Sequence, residues 1–310
     1  MKVGIIGAGS IAGTMAGTIR EMDCAQNYAV AARDYGRAAE FAQTYGFEKA
    51  YGSYEELVED AGVELVYIAT PHSHHYEHIK LCLNHGKHVL CEKSFTVNES
   101  QAREVLALAR EKKLLLTEAI WTRYMPMRKT LDSVLSSGVI GRPYMLTANL
   151  GYIISGKERI MRPELAGGAL LDVGIYPLNF ASMVFGDEVD SITGTAVMTE
   201  TGVDAQNSIT ITYKDGKMAA LCSSAMGLSD RRGIIYGDNG FIEVENINNC
   251  EGIRVYDRSR NMIASYDTPK QISGYEYEVE ACLRAIKEGA LECPEMPHEE
   301  TLRMMGWMDE

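Results

Sequence analysis

Through the first 120 residues, short apolar runs alternate with segments whose apolar side chains recur at helical spacing. That rhythm predicts an α/β fold in which a doubly wound parallel sheet carries helices on both faces. The runs 3–7, 28–32, 65–69, 88–91 and 114–118 are almost continuously apolar, as strands buried on both faces are. Residues 11–20, 37–45, 73–85 and 99–112 read as the intervening helices, with Ser73 and Asn98 as capping candidates for the last two.

After Trp121 the pattern changes. A helix over 127–136 leads into strand-like runs at 144–152, 191–199, 208–213, 219–224, 233–236, 241–245 and 253–256, separated by Gly, Asn and Asp. These predict a C-terminal α+β domain with a mostly antiparallel sheet. One helix is expected over 169–185 and two more over 275–287 and 299–308, the last running to a terminus that reads as shortened. The expected domains are 1–120 and 121–310.

Composition narrows the class. A chain of 310 residues exceeds what one core usually serves, and 46% hydrophobic with 24% charged residues describes an ordinary globular protein. The formal charge of -13 argues against a nucleic-acid partner, though an anionic cofactor can be held by a local basic pocket. Seven cysteines without a C-x-x-C pair fit reduced thiols, mostly in the core, of a cytoplasmic protein. The uncharged run 3–19 holds five glycines and no clear cleavage site, so it reads as strand, turn and helix rather than as a leader. No other run approaches the ~20 apolar residues of a spanning helix, so no membrane partner is expected.

The sharpest chemical signal is Gly7-Ala8-Gly9-Ser10-Ile11-Ala12, a G-x-G-x-x-A turn between the first strand and the first helix. Gly7 permits the tight turn, Gly9 the close approach of a pyrophosphate to backbone N–H groups, and Ala12 close helix packing. At the end of the second strand an acid would bind the adenosine ribose, whereas an arginine would grip a 2′-phosphate. Arg33 takes that position with Arg37 one turn beyond, which favours NADP; the alternative keeps both arginines in solvent and lets Asp34 hold the ribose of NAD. Six of the seven histidines fall between His72 and His88. The i,i+4 spacing of His74 and His78 raises a zinc site as a rival. No supporting carboxylate or cysteine set is evident, so no metal is assigned. Most of these histidines are expected in solvent, with His72 and His75 facing a nicotinamide. Glu92-Lys93 closes the next strand at the same crevice, and Asp172 and Tyr176 lie one helical turn apart in the second domain.

Taken together, Val3 to Ala12, Ala69-Thr70-Pro71-His72-Ser73-His74-His75, Cys91-Glu92-Lys93-Ser94, Glu118 to Pro126 and Gly167 to Leu178 resemble the glucose-fructose oxidoreductase / inositol dehydrogenase (Gfo/Idh/MocA) family. Within it the Trp121-Thr122-Arg123 segment and the Asp-x-Gly-x-Tyr-Pro form are most similar to the dimeric dihydrodiol dehydrogenase and NADP-dependent D-xylose dehydrogenase branch. The resemblance implies a Rossmann domain, a second domain whose open sheet forms a subunit interface in a homodimer or tetramer, and hydride transfer on a sugar, cyclitol or trans-diol. It makes Lys93 the catalytic lysine, Asp172 a substrate-orienting acid and Tyr176 the acid/base group. Cofactor contacts are implied for Thr70, Pro71, His72, His75, Glu92, Lys93, Trp121 and Arg123, beside the glycine turn with Ala8, Ser10 and Ile11. Substrate discrimination is expected in loops such as 154–163. Two rivals remain: an NADP-binding sensor without turnover, and a metal-dependent hydrolase built on the histidines. Ser94 stands where the family has proline, so a trans bond is expected there, a non-proline cis bond costing ~3 kcal/mol or more.

Overall fold

The computed structural model describes all 310 residues. In it β1 (Lys2–Ile6), β2 (Gln26–Ala31), β3 (Lys49–Tyr51), β4 (Leu65–Ile68), β5 (His88–Glu92) and β6 (Leu116–Ala119) form one parallel sheet in the order β3-β2-β1-β4-β5-β6. Between them run α1 (Ser10–Arg20), α2 (Tyr35–Tyr45), α3 (Tyr54–Glu59), α4 (His75–Asn84) and α5 (Glu99–Lys112). Central residues such as Ile5, Val30, Val66, Ile68 and Leu90 are fully buried, as the near-continuous apolar runs require. The strand order reverses between β1 and β4, so the crevice for a ligand opens at their carboxyl ends.

The second sheet is built from β7 (Pro143–Gly151), β8 (Val189–Met198), β9 (Asp204–Tyr213), β10 (Met218–Ser224), β11 (Gly233–Gly237), β12 (Gly240–Glu245), β13 (Gly252–Asp257) and β14 (Met262–Asp267). Its order is β14-β13-β12-β11-β7-β10-β9-β8, antiparallel throughout except where β7 meets β10. α6 (Pro126–Ser136) precedes it, α7 (Glu158–Met161) and α8 (Ile175–Phe185) follow β7, and α9 (Glu276–Glu288) and α10 (His298–Asp309) close the chain.

Several local expectations are corrected. The short β3 and α3 and the edge strand β14 carry too little periodicity to be read from sequence. Ser73 does not cap α4: it lies in a 3-10 turn, His72–His74, and its hydroxyl meets His74 Nδ1 at 3.0 Å. The helix expected over 169–185 begins as a π-turn, Leu170–Gly174, before α8, where Pro177 brings no N–H to the Val173 carbonyl. The segment Pro163–Phe185 is long and apolar enough on its face to cross a membrane, contrary to the reading that no such run exists. Ala166 and Gly168 break it with φ of 53° and 107°, and 78% of its most apolar stretch is buried in the protein.

The units into which the chain divides are also discontinuous: Met1–Tyr124 groups with Gln271–Met305, and Met125–Lys270 with Gly306–Glu310. The first break falls after Tyr124, and 271–305 groups with residues 1–124. The reason is the free edge of β6. Leu116 N–H donates to Leu291 O at 3.1 Å, His298 Nε2 donates to Leu116 O at 2.8 Å, and Arg123 pairs with Glu300 beside that edge.

Candidate functional site

The glycine turn has the geometry the motif requires. Gly7 sits at φ 105°, its N–H donates to Ala31 O at 2.9 Å, and a Cβ there would lie 2.9 Å from Ala69 O. Gly9 caps α1 with no side-chain hydrogen bond, which leaves first-turn N–H groups for an anion, and a Cβ on it would meet no atom within 4 Å. Ser10 is exposed, Ala8 and Ile11 are half-buried and Ala12 is fully buried. An uncapped helix start beside a glycine with open space above it fits a dinucleotide pyrophosphate.

At the end of β2, Arg33 and Arg37 are both exposed. Arg37 Nη2 donates to Ala8 O at 3.1 Å, which holds its guanidinium against the glycine turn. Asp34 Oδ1 is engaged by the Arg37 backbone N–H at 2.8 Å and caps α2. The acid that the NAD reading needs for a ribose therefore has a structural task already.

The histidines depart from expectation, for only His85 is exposed; His72 and His75 are buried and His74, His78 and His88 are intermediate. His75 Nε2 lies 2.8 Å from Thr70 O and Nδ1 2.8 Å from Ser94 O, so the ring joins the loop after β4 to the loop after β5. Burial, opposed by those carbonyls, pushes its pKa down to about 4, and the neutral ring donates to one carbonyl at a time. His74 and His78 stack with centroids 5.8 Å apart, and His78 Nδ1 meets Thr70 Oγ1 at 3.0 Å. No group of three His, Cys, Asp or Glu forms a metal-binding cluster around them.

Lys93 follows β5 half-buried, and the Lys93-Ser94 peptide is cis, which corrects the trans expectation. What holds it is tertiary: Ser94 O receives His75, and Phe95 N–H donates to Glu118 Oε1 at 3.2 Å. Beneath it Glu92 is buried and accepts from the Tyr67 hydroxyl. Burial pushes Glu118 up to about 7, and burial with the neighbouring Glu92, Cys293 and Glu118 holds Glu278 well above the usual carboxylate range. Trp121 stacks on Tyr275 at 4.3 Å, and the buried Arg123 pairs with Glu300. Pro71 precedes the His72–His74 turn. Tyr67 and Glu278 had no chemical signal in the sequence and Glu118 entered only as the start of a family-like segment, because only packing shows what these side chains face.

In the second unit, Asp172 lies in the π-turn and Tyr176 in the first turn of α8, both buried. Arg159 of α7 donates through Nη1 to Asp172 Oδ1 at 2.7 Å. The loop containing Arg159 was expected to shape the site, but nothing in the sequence links that arginine to an acid 13 positions on. Asp204 fixes the entry to the π-turn, accepting from Leu170 N–H and Asn207 Nδ2, each at 2.8 Å.

Comparison with known proteins completes the picture. Residues 1–120 match the family profile described as oxidoreductase family, NAD-binding Rossmann fold, and residues 129–243 match the GFO/IDH/MocA C-terminal domain. A trans-1,2-dihydrobenzene-1,2-diol dehydrogenase of Xenopus tropicalis is 33% identical, covering 100% of this chain and 96% of the relative. The protein of that name from Homo sapiens is 36% identical over 97% of this chain and 92% of its own length. A 3-ketoreductase from Actinomadura kijaniata, solved with NADP and TDP-benzene, superposes with a TM-score of 0.92 at 24% identity, covering 100% and 96% of the two chains. An aldose-aldose oxidoreductase from Caulobacter crescentus, complexed with glycerol, gives 0.89 at 18% identity over 98% and 94%. At such identities the two structures speak to the fold alone. The full-length relatives and the two matched profiles establish that this chain belongs to the GFO/IDH/MocA oxidoreductase family, with the family's NAD-binding Rossmann domain in its first 120 residues.

Proposed function

We propose that the protein is an NADP-dependent dehydrogenase or reductase acting on a hydroxyl or carbonyl of a sugar, cyclitol or trans-diol. The observation that carries the reading is that the glycine turn after β1 and Lys93 after β5 stand at the same, carboxyl edge of one parallel sheet. NADP is favoured because Asp34 is engaged as a helix cap while Arg33 and Arg37 remain exposed beside the turn. When bound, the nicotinamide supplies or accepts the hydride.

The chain's own residues handle the proton. In the oxidative direction the substrate hydroxyl loses its proton to Tyr176 as its carbon gives up hydride. A phenol of pKa ~10 is a poor base at neutral pH, and the Lys93 ammonium favours its phenolate. Asp172 orients the substrate by accepting from a hydroxyl. Cofactor contacts come from residues 7–12, Arg33, Arg37, Thr70, Pro71, His72, His75, Glu92, Lys93, Trp121 and Arg123.

The same reading extends to assembly and location. Tyr144, Met145, Val197, Met198, Met218, Met262, Ile263 and Tyr266 leave apolar surface exposed on strands of the second sheet, which supports a homodimer or tetramer formed through it. All seven cysteines are free thiols, in keeping with a cytoplasmic site.

Kinetics test the roles. With NADP and a panel of aldoses, cyclitols and trans-diols, Tyr176→Phe should lower kcat ~10²–10⁴-fold with NADP affinity near normal. Lys93→Met should lower kcat and shift the pH profile upward. If Tyr176→Phe keeps most of kcat while Lys93→Met abolishes the pH dependence, Lys93 takes the proton instead. Binding of NADP with no turnover of any substrate would favour a sensor.

A further inference from the structure

We propose that Arg159 is a specificity-determining residue that, together with Asp172, reads a hydroxyl on the carbon adjacent to the reacting one. The proposal rests on the reading of Asp172 as the substrate-orienting acid. The two side chains meet at 2.7 Å, with Asp172 side chain 6% exposed and Arg159 38% exposed. The pair therefore presents an acceptor and a donor side by side from one half-open position. A guanidinium carries five N–H donors, and Arg159 uses one of its nitrogens on Asp172 and makes no other hydrogen bond within the chain. A hydroxyl carries one donor and two acceptor lone pairs, so one hydroxyl can bridge the two side chains. The hydroxyl next to the reacting one can donate to the carboxylate and accept from the guanidinium at once, whereas a mono-alcohol has only the hydroxyl whose proton goes to Tyr176 and leaves the pair unmet.

The position of Arg159 is built rather than incidental. Gly168 N–H donates to Ile160 O at 2.8 Å, Gly167 N–H to Arg162 O at 3.1 Å, and Ile160 N–H to Lys157 O at 2.9 Å. A Cβ on Gly167 would lie 2.4 Å from Ile160 O and 2.7 Å from Arg159 O, so only glycine lets the Arg159 backbone come this close to the turn that leads to Asp172. These are backbone contacts, and they hold the loop without the Arg159 side chain. Arg159 is the open member of the pair, 38% exposed against 6% for Asp172, so its remaining N–H donors are available for recognition.

The test compares trans-cyclohexane-1,2-diol with cyclohexanol as NADP-linked substrates for the full chain and for Arg159→Met, Arg159→Lys and Asp172→Asn. The ratio of kcat/KM for diol over mono-alcohol should fall ~10–100-fold in Arg159→Met, the loss expected for a hydrogen bond to a charged group. Arg159→Lys, which keeps a charged donor but not the fork, should recover part of that ratio. NADP titration should match the unmodified protein in both, and Arg159→Met should lose some thermal stability because Asp172 is buried, but a purely structural ion pair would lower both substrates alike and leave the ratio in place. An unchanged ratio in Arg159→Met and in Arg159→Lys overturns the inference and leaves the dehydrogenase reading standing. Full turnover of both substrates by Asp172→Asn, or of neither by the unmodified protein, overturns the underlying reading and the inference with it.

Discussion

Adding one methyl group at Gly9 separates the cofactor site from the fold. Gly9 has φ -99° and ψ -173°, extended backbone open to any residue, and the new Cβ meets nothing within 4 Å. Alanine caps a helix less well than glycine by up to ~1 kcal/mol, and the loss of glycine's freedom in the unfolded chain offsets about 0.4–1 kcal/mol of that. Gly9→Ala should thus change stability by less than ~1 kcal/mol. On the proposed NADP reading the same methyl stands where the pyrophosphate approaches the first turn of α1, and overpacking of that kind costs about 1–3 kcal/mol, or roughly 5–150-fold in NADP affinity. Gly7→Ala is the converse control. Its φ of 105° and the 2.9 Å approach to Ala69 O put strain and a backbone clash into the fold itself, about 2–5 kcal/mol, which should lower the melting temperature by roughly 5–15 °C without any ligand. Thermal unfolding of the cofactor-free proteins and fluorescence titration with NADPH read the two effects separately. The reasoning fails if Gly9→Ala binds NADPH as the parent does, or if it loses as much stability as Gly7→Ala.

Arg33→Asp removes a phosphate partner and adds repulsion, so NADP affinity should fall ~10–100-fold or more while NAD changes little; parallel loss of both would sink the NADP assignment. Burial sets two pH dependences of opposite sign. His75, held down to about 4, gains a proton in the unfolded chain before the folded one, so stability is full above the ordinary histidine pKa of ~6.5 and is lost as pH falls from there through 4. Glu118, pushed up to about 7, binds its proton in the folded chain first, so its burial costs stability as pH rises from the ordinary ~4.3 through 7. Glu118→Gln should therefore gain on the order of 3 kcal/mol relative to the parent between pH 4 and 8 in chemical denaturation, and a difference that does not vary with pH would refute the assignment.

Local regularity explains what could be read ahead of the structure. α5 runs from Glu99 to Lys112 as expected because its start and stop are both local: Asn98 accepts from Gln101 N–H, and Lys113 turns left-handed at φ 56°. The cofactor turn was legible for the same reason, since strand, glycines and helix follow one another within a dozen residues. β3 and β14 escaped because three half-buried residues, or a mostly exposed edge strand, carry no period to detect.

The chain by itself determined most of the elements, the glycine turn, the two arginines after β2 and the places of Lys93, Asp172 and Tyr176, because each depends on side chains and backbone preferences of near neighbours. Tertiary structure decided the rest. The cis peptide at Lys93 has no proline to announce it and is held by His75 and Glu118 from other strands and turns. The return of 271–305 to the first unit follows from the hydrogen-bonding edge of β6, which no local pattern describes. Arg159 became the partner of Asp172 through a contact that arises only once the backbone has folded, whereas the Asp34 cap is a local i,i+3 contact that went unread. Local propensity acts over a turn or two of chain, whereas burial, hydrogen-bond pairing and charge act through space, so the sequence could name the chemistry while the fold chose the partners.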